Sequence, residues 1–114
     1  MIPLWMFPLA IATGNTYVLK PTEKAPSAAL LLAKILHDLR LPKGVLNVVN
    51  GGKECVDEIL RHEDVKAISF VGSNAAGEYI HDIGSKVSRT LSMCCSYLMF
   101  SEMILICNAL HSIQ

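Results

Sequence analysis

Two short blocks carry groups able to hold a phosphorylated ligand: Gly14-Asn15-Thr16-Tyr17-Val18-Leu19-Lys20-Pro21-Thr22-Glu23-Lys24 and Ile68-Ser69-Phe70-Val71-Gly72-Ser73. In the first, an ammonium, a hydroxyl and a carboxylate follow a β-branched and aromatic run. Lys20, Thr22, Glu23 and Lys24 offer donors and acceptors to ribose hydroxyls, and a carboxylate accepting from two vicinal hydroxyls is the usual device for holding an adenosine ribose. The competing reading is a solvated Lys20 and Glu23 ion pair on a loop, worth little energetically. In the second block Gly72-Ser73 stands where a helix begins. Backbone N–H groups, a hydroxyl and the positive end of the helix dipole would meet a phosphate there, and Gly72 has no Cβ to obstruct it. Taken alone, that dipeptide is a strand-to-helix turn with Ser73 as N-cap. The order and separation of the blocks make them the two ends of a dinucleotide site.

Other chemistry finds little support. The G-x-G-x-x-G fingerprint of ordinary dinucleotide folds is missing, and Gly51-Gly52 is the nearest approach to it. No Ser/His/Asp or Cys/His constellation can be assembled. Cys55, Cys94, Cys95 and Cys107 show neither zinc-site spacing nor a disulfide framework, which suits a reducing compartment. His37, His62, His81 and His111 are scattered without a second ligand at metal spacing and are expected to be solvated. Binding groups are present, catalytic residues and metal ligands are not.

The elements that must position these groups alternate. Trp5 to Ala12 is apolar and helical after Pro8, with Trp5 expected in the core; Tyr17-Val18-Leu19 is a buried strand. Ser27 is the expected N-cap of an amphipathic helix with Ala28, Leu31, Leu32, Ile35, Leu36 and Leu39 on one face, stopped by Leu41-Pro42-Lys43-Gly44. Val45 to Val49 is a second strand, closed by Asn50-Gly51-Gly52. A helix carrying Val56, Ile59 and Leu60 leads to a third strand, Val65 to Val71. A last helix opens at Gly72-Ser73-Asn74, with Ala76, Tyr79, Ile80 and Ile83 inward. This alternation predicts an α/β fold, a Rossmann-like parallel sheet with flanking helices. Ligands of such sheets lie beyond the carboxyl ends of the strands, where Lys20 to Lys24, Gly51 and Gly72-Ser73 all fall.

A chain of 114 residues can form one small domain. Its formal net charge of +0 gives no footprint for nucleic acid or an anionic membrane, which leaves a small molecule or another protein as partner. A hydrophobic content of 52% and mean hydropathy of +0.41 are high for a domain this size, so apolar surface should seek a partner. The opening residues lack the basic region of a signal peptide and carry Pro3 and Pro8, and no Arg- and Ser-rich presequence precedes them.

Ile2-Pro3-Leu4-Trp5-Met6-Phe7-Pro8, Ala12-Thr13-Gly14-Asn15-Thr16, Leu19-Lys20-Pro21-Thr22-Glu23-Lys24, Leu41-Pro42-Lys43-Gly44-Val45-Leu46-Asn47-Val48-Val49 and Lys66-Ala67-Ile68-Ser69-Phe70-Val71-Gly72-Ser73 closely resemble the aldehyde dehydrogenase superfamily. The Trp-Met-Phe-Pro and Ile-Ser-Phe-Val-Gly-Ser wordings are most similar to its CoA-acylating, methylmalonate-semialdehyde branch. The resemblance implies NAD-dependent oxidation of malonate or methylmalonate semialdehyde to an acyl-CoA, through a cysteine thioester, in valine and pyrimidine catabolism. By the same resemblance Lys20 and Glu23 hold the adenosine ribose with Thr22 and Lys24 beside them, Ser73 meets the pyrophosphate, and Gly51 and Gly72 allow close approach. NAD is the implied cofactor, CoA the co-substrate, a homotetramer the assembly and the mitochondrion the compartment; without a targeting peptide in this chain, the cytoplasm is the alternative.

The likeness runs from Met1 to about Met93, giving a partial NAD-binding domain over 1–93 and a divergent apolar tail over 94–114. The family's oxyanion-hole asparagine and nucleophilic cysteine have no counterpart here, so a fragment inactive by itself is expected. The tail from Leu91 to Leu110 approaches the length of a membrane span, but Ser92, Ser96, Ser101 and Asn108 and the lack of basic anchors argue against one. A truncated or alternatively spliced product, with an aggregation-prone end of no selected function, is the expectation for the tail. The alternatives are a non-catalytic interaction protein, a membrane-tethered fragment, or a fragment of another NAD(P)-dependent aldehyde dehydrogenase.

Overall fold

A proline early in a helix loses nothing, because its missing N–H has no intrahelical partner there. Pro8 is used in this way in the computed structural model, which describes residues 2–87, 90–95 and 103–109, the last two stretches by their backbone. A 3-10 turn, Ile2–Trp5, leads into α1, Phe7–Ala12. Gly14, at φ 80, takes the left-handed turn into β1, Asn15–Lys20.

Helix α2 spans Ser27–Asp38, and its N-cap is Pro26. Ser27, expected to cap, is instead the first helical residue, because the restricted φ of Pro26 (−76) already lies in helical range. The stop also differs from expectation. Arg40 adopts φ 60, its N–H bonds to the His37 carbonyl at 3.0 Å, and the Leu41 N–H reaches the Leu36 carbonyl at 3.1 Å. This is a Schellman closure completed before Pro42 and Gly44 are reached.

The strands β2, Leu46–Val48, and β3, Ala67–Gly72, alternate with helices α3, Lys53–Arg61, and α4, Asn74–Lys86, as the hydrophobic pattern predicts. β4, Thr90–Cys95, and β5, Met103–Ala109, complete a sheet of order β2-β1-β5-β3-β4. β1 pairs with β2, and β3 with β4, in parallel; β5 is antiparallel to both β1 and β3. Strands β1 to β4 therefore all run one way, as an α/β sheet requires. Both β4 and β5 are additions to the three strands expected, and apart from Thr90 their residues come from the stretch weighed above as a membrane span or a tail without role. Ser96, Leu98, Ser101, Leu110 and His111 lie outside the described residues. No helix among the described residues is long and apolar enough to cross a membrane.

The pleat sends alternate side chains to opposite faces. Tyr17, Leu19 and Val71 pack with Ile2, Phe7 and Ala29 beneath α1 and α2, while Ile68 and Phe70 pack with Leu60, Val65 and Ile80 beneath α3 and α4. Val56, Ile59, Ala76, Tyr79 and Ile83 border the second cluster, as their spacing indicates. Two expectations fail on the first face. Trp5 is 48% exposed rather than core, and α2 turns Ala29 and Leu36 inward while Leu31, Ile35 and Leu39 stay exposed, Leu39 at 72%. Apolar residues occupy more of the circumference of α2 than one sheet face can cover.

Candidate functional site

Parallel strands deliver their carboxyl ends to one edge of the sheet, and the loops leaving β1, β2 and β3 meet there. Lys20 ends β1. Its side chain is buried, with 4% of the residue exposed, and Nζ donates to the Pro21 carbonyl at 3.2 Å. The Glu23 carboxylate stands 4.0 Å from the same Nζ and is itself exposed. A solvated loop pair would leave both partners in water; here the cation is anchored and the carboxylate faces out. An ammonium has three donors, so Lys20 keeps capacity for a ligand oxygen. Lys24 is exposed, and its N–H makes a long bond of 3.4 Å to the Thr22 hydroxyl that shapes the loop.

The second loop lies against the first because the Val49 N–H bonds to the Leu19 carbonyl at 3.0 Å, prolonging the β1 and β2 pairing to the carboxyl end. Gly52 is the N-cap of α3, and a Cβ there would sit 3.4 Å from Glu23 Oε1. The Glu23 carboxylate thus rests beside the positive end of a helix dipole. Gly51 has an internal reason to be glycine: a Cβ would lie 2.7 Å from the Cβ of Cys55. Cys55 is a free thiol, half-buried.

Gly72 ends β3 and is buried, and Ser73 caps α4, its hydroxyl accepting from the Ala76 N–H at 3.4 Å. Ser73, Asn74 and Ala75 are exposed, so this helix start is open to solvent. A clasp holds α3 against α4: the Tyr79 hydroxyl donates to Asp57 Oδ1 at 2.6 Å, and Lys53 Nζ lies 4.4 Å from the centre of the Tyr79 ring. The bond to Asp57 is the main reason the Tyr79 hydroxyl titrates above its ordinary value of 10.0; partial burial and the carboxylate charge act the same way, and Lys53 opposes them.

Lys20, Thr22, Glu23, Lys24 and Gly51 are therefore brought together. Gly72 and Ser73 share the sheet edge with them, but β5 stands between β1 and β3. The Pro21 carbonyl and the cap at Gly52 join the site beyond the residues expected from the sequence; the Gly51-Gly52 pair immediately before a helical run is the available signal for the second. Among the described residues no cluster of His, Cys, Asp and Glu could hold a metal. His37, His62 and His81 are exposed, as expected.

Comparison with known proteins adds an independent line. Residues 1–96 match the model of the aldehyde dehydrogenase family. A malonate-semialdehyde dehydrogenase of Pseudomonas aeruginosa is 60% identical over 86 residues, 75% of this chain and 17% of that protein. The human methylmalonate-semialdehyde/malonate-semialdehyde dehydrogenase [acylating], mitochondrial, is 57% identical over 86 residues, 75% of this chain and 16% of its own length. A crystal structure from Sinorhizobium meliloti 1021, described as a candidate methylmalonate-semialdehyde dehydrogenase complexed with NAD, superposes with a TM-score of 0.79 at 45% identity, covering 82% of this chain and 19% of that one. The chain spans about one sixth of the curated relatives it matches.

Proposed function

Because the chain belongs to the aldehyde dehydrogenase family, we propose that it carries the adenosine-diphosphate half of an NAD site in an acylating methylmalonate- or malonate-semialdehyde dehydrogenase, of which it represents a part. The observation that carries this reading is the buried Lys20 beside the outward Glu23 at the end of β1, with the Ser73-capped start of α4 on the same sheet edge.

The residues suit an adenosine diphosphate. Glu23 accepts from the two ribose hydroxyls, and Lys20, fixed by Pro21, donates to a ribose oxygen. Thr22 and Lys24 shape and flank that loop, and Gly51 keeps α3 close beside it. Gly72 and Ser73 present the first turn of α4 to the pyrophosphate. Bound there, NAD supplies the hydride acceptor for aldehyde oxidation. None of the chain's own groups is assigned a catalytic role; its residues bind and orient. A mitochondrial setting rests on the human relative, which is named as acylating and mitochondrial, and CoA as co-substrate, the homotetramer and the division into 1–93 and 94–114 rest on family resemblance.

Titrating NAD into the isotope-labelled chain tests this. Amide shifts are expected to cluster at residues 20–24, 51–52 and 72–77, and Glu23→Ala should weaken binding about tenfold, the scale of a hydrogen bond to a charged group. Shifts elsewhere, or a variant that binds equally well, would overturn the assignment. The exposed Leu31, Ile35 and Leu39 favour a companion role, that of a segment which associates with further aldehyde dehydrogenase sequence.

A further inference from the structure

Open α/β sheets bind ligands in the crevice at the point where strand order reverses. Among the strands within the family match, the order is β2-β1 followed by β3-β4, so the chain moves outward one way after β1 and the other way to reach β3. The reversal falls between β1 and β3. That place is filled by β5, whose residues lie beyond the family match ending at 96.

β5 fills it along its length. Asn15 to Lys20 of β1 are in register with Ala109 to Ile104, and Ala67 to Val71 of β3 with Cys107 to Met103. Because β5 is antiparallel, its first residues, Met103 and Ile104, lie level with Val71 and Lys20, at the mouth of the crevice. Neighbouring strands are about 4.8 Å apart, so an interposed strand sets β1 and β3 about 10 Å apart. The ribose group around Lys20 and Glu23 and the helix start at Ser73 are spread by that amount.

We propose that Met103–Ala109 is an autoinhibitory plug strand: seated at the switch point, it separates the two ends of the dinucleotide site, and NAD binds well only when it withdraws and β1 and β3 close on each other. The inference rests on the NAD reading above. Withdrawal exchanges two antiparallel ladders for one parallel ladder, so the plugged arrangement predominates without ligand and affinity falls with the fraction of open molecules.

The register supplies a lock. Ala67 of β3 is the partner of Cys107, and directly opposed strand residues lie within the Cα separation a disulfide spans. Ala67→Cys is oxidised, the crosslink to Cys107 is mapped by mass spectrometry, and NAD affinity is measured by calorimetry before and after reduction, with the unaltered chain taken through the same steps. The crosslink is expected to form, and the oxidised protein to bind NAD about tenfold more weakly than the same protein reduced. Ile106→Pro, which interrupts the ladder of β5, should bind more tightly than the unaltered chain, and adding Glu23→Ala should cancel that gain. If this variant does not fold, the redox comparison stands alone. A mapped crosslink with equal affinity in both redox states overturns the plug and leaves the NAD site intact. Failure of the crosslink overturns the strand placement. Absence of NAD binding in the reduced protein and in Ile106→Pro alike overturns the NAD reading and the plug with it.

Discussion

Lys20 shows how a residue can be visible in a sequence and still have its character hidden. Its type and its place after Tyr17-Val18-Leu19 were legible, but its burial was not, because a lysine stem can lie along apolar surface with its head in water or be drawn in by a carbonyl. The Pro21 carbonyl decides the matter here. Lys20→Met keeps the stem and removes the charge, so the chain should stay folded by circular dichroism while calorimetry shows NAD binding weakened about tenfold. Ser73 was legible as a cap, since a cap needs only a hydroxyl before a helical run. Ser73→Ala should cost about 1 kcal/mol of stability in urea denaturation. Close ligand approach is the role the sequence suggests for Gly51, whereas the structure sets it against Cys55, a through-space neighbour no spacing rule shows. Gly51→Ala should destabilise by about 1–3 kcal/mol through overpacking.

At the level of elements, periodicity carried most of the fold. Val56, Ile59, Leu60, Ile80 and Ile83 pack as their spacing requires, because α3 and α4 each have one apolar stripe and one sheet face to cover it. α2 was harder: its apolar residues exceed one stripe, so the pattern could not say which of Leu31, Leu32, Ile35 and Leu36 turns inward. Its stop was illegible for another reason, since a left-handed arginine has no sequence signal. Arg40→Gly should raise stability by about 1 kcal/mol by relieving that conformation. Neither β4 nor β5 is legible in the sequence, because a short apolar run such as Ile104-Leu105-Ile106 has the same pattern in a strand as in part of a buried helix. The α3 and α4 clasp carries a pH signature. The folded state holds the Tyr79 proton above the unfolded value of 10.0, so its contribution is complete below that pH and is lost as the pH rises through and beyond it. Tyr79→Phe should remove this alkaline component from a stability profile.

For the whole molecule, the uncovered apolar residues point to association. Leu9, Leu31 and Leu39 are 69%, 59% and 72% exposed, and groups of this kind drive association. The joint prediction is a chain that binds the adenosine end of NAD, more weakly than its binding groups alone would allow because β5 spreads them. The claim on which everything else depends is that the loop after β1 and the start of α4 serve one ligand. Titrating adenosine and ADP-ribose in parallel into the chain, Glu23→Ala and Ser73→Ala tests it most directly. Glu23→Ala should weaken both ligands about tenfold, and Ser73→Ala should weaken ADP-ribose alone. Unchanged affinities in Glu23→Ala, or an equal loss for both ligands in Ser73→Ala, would contradict it.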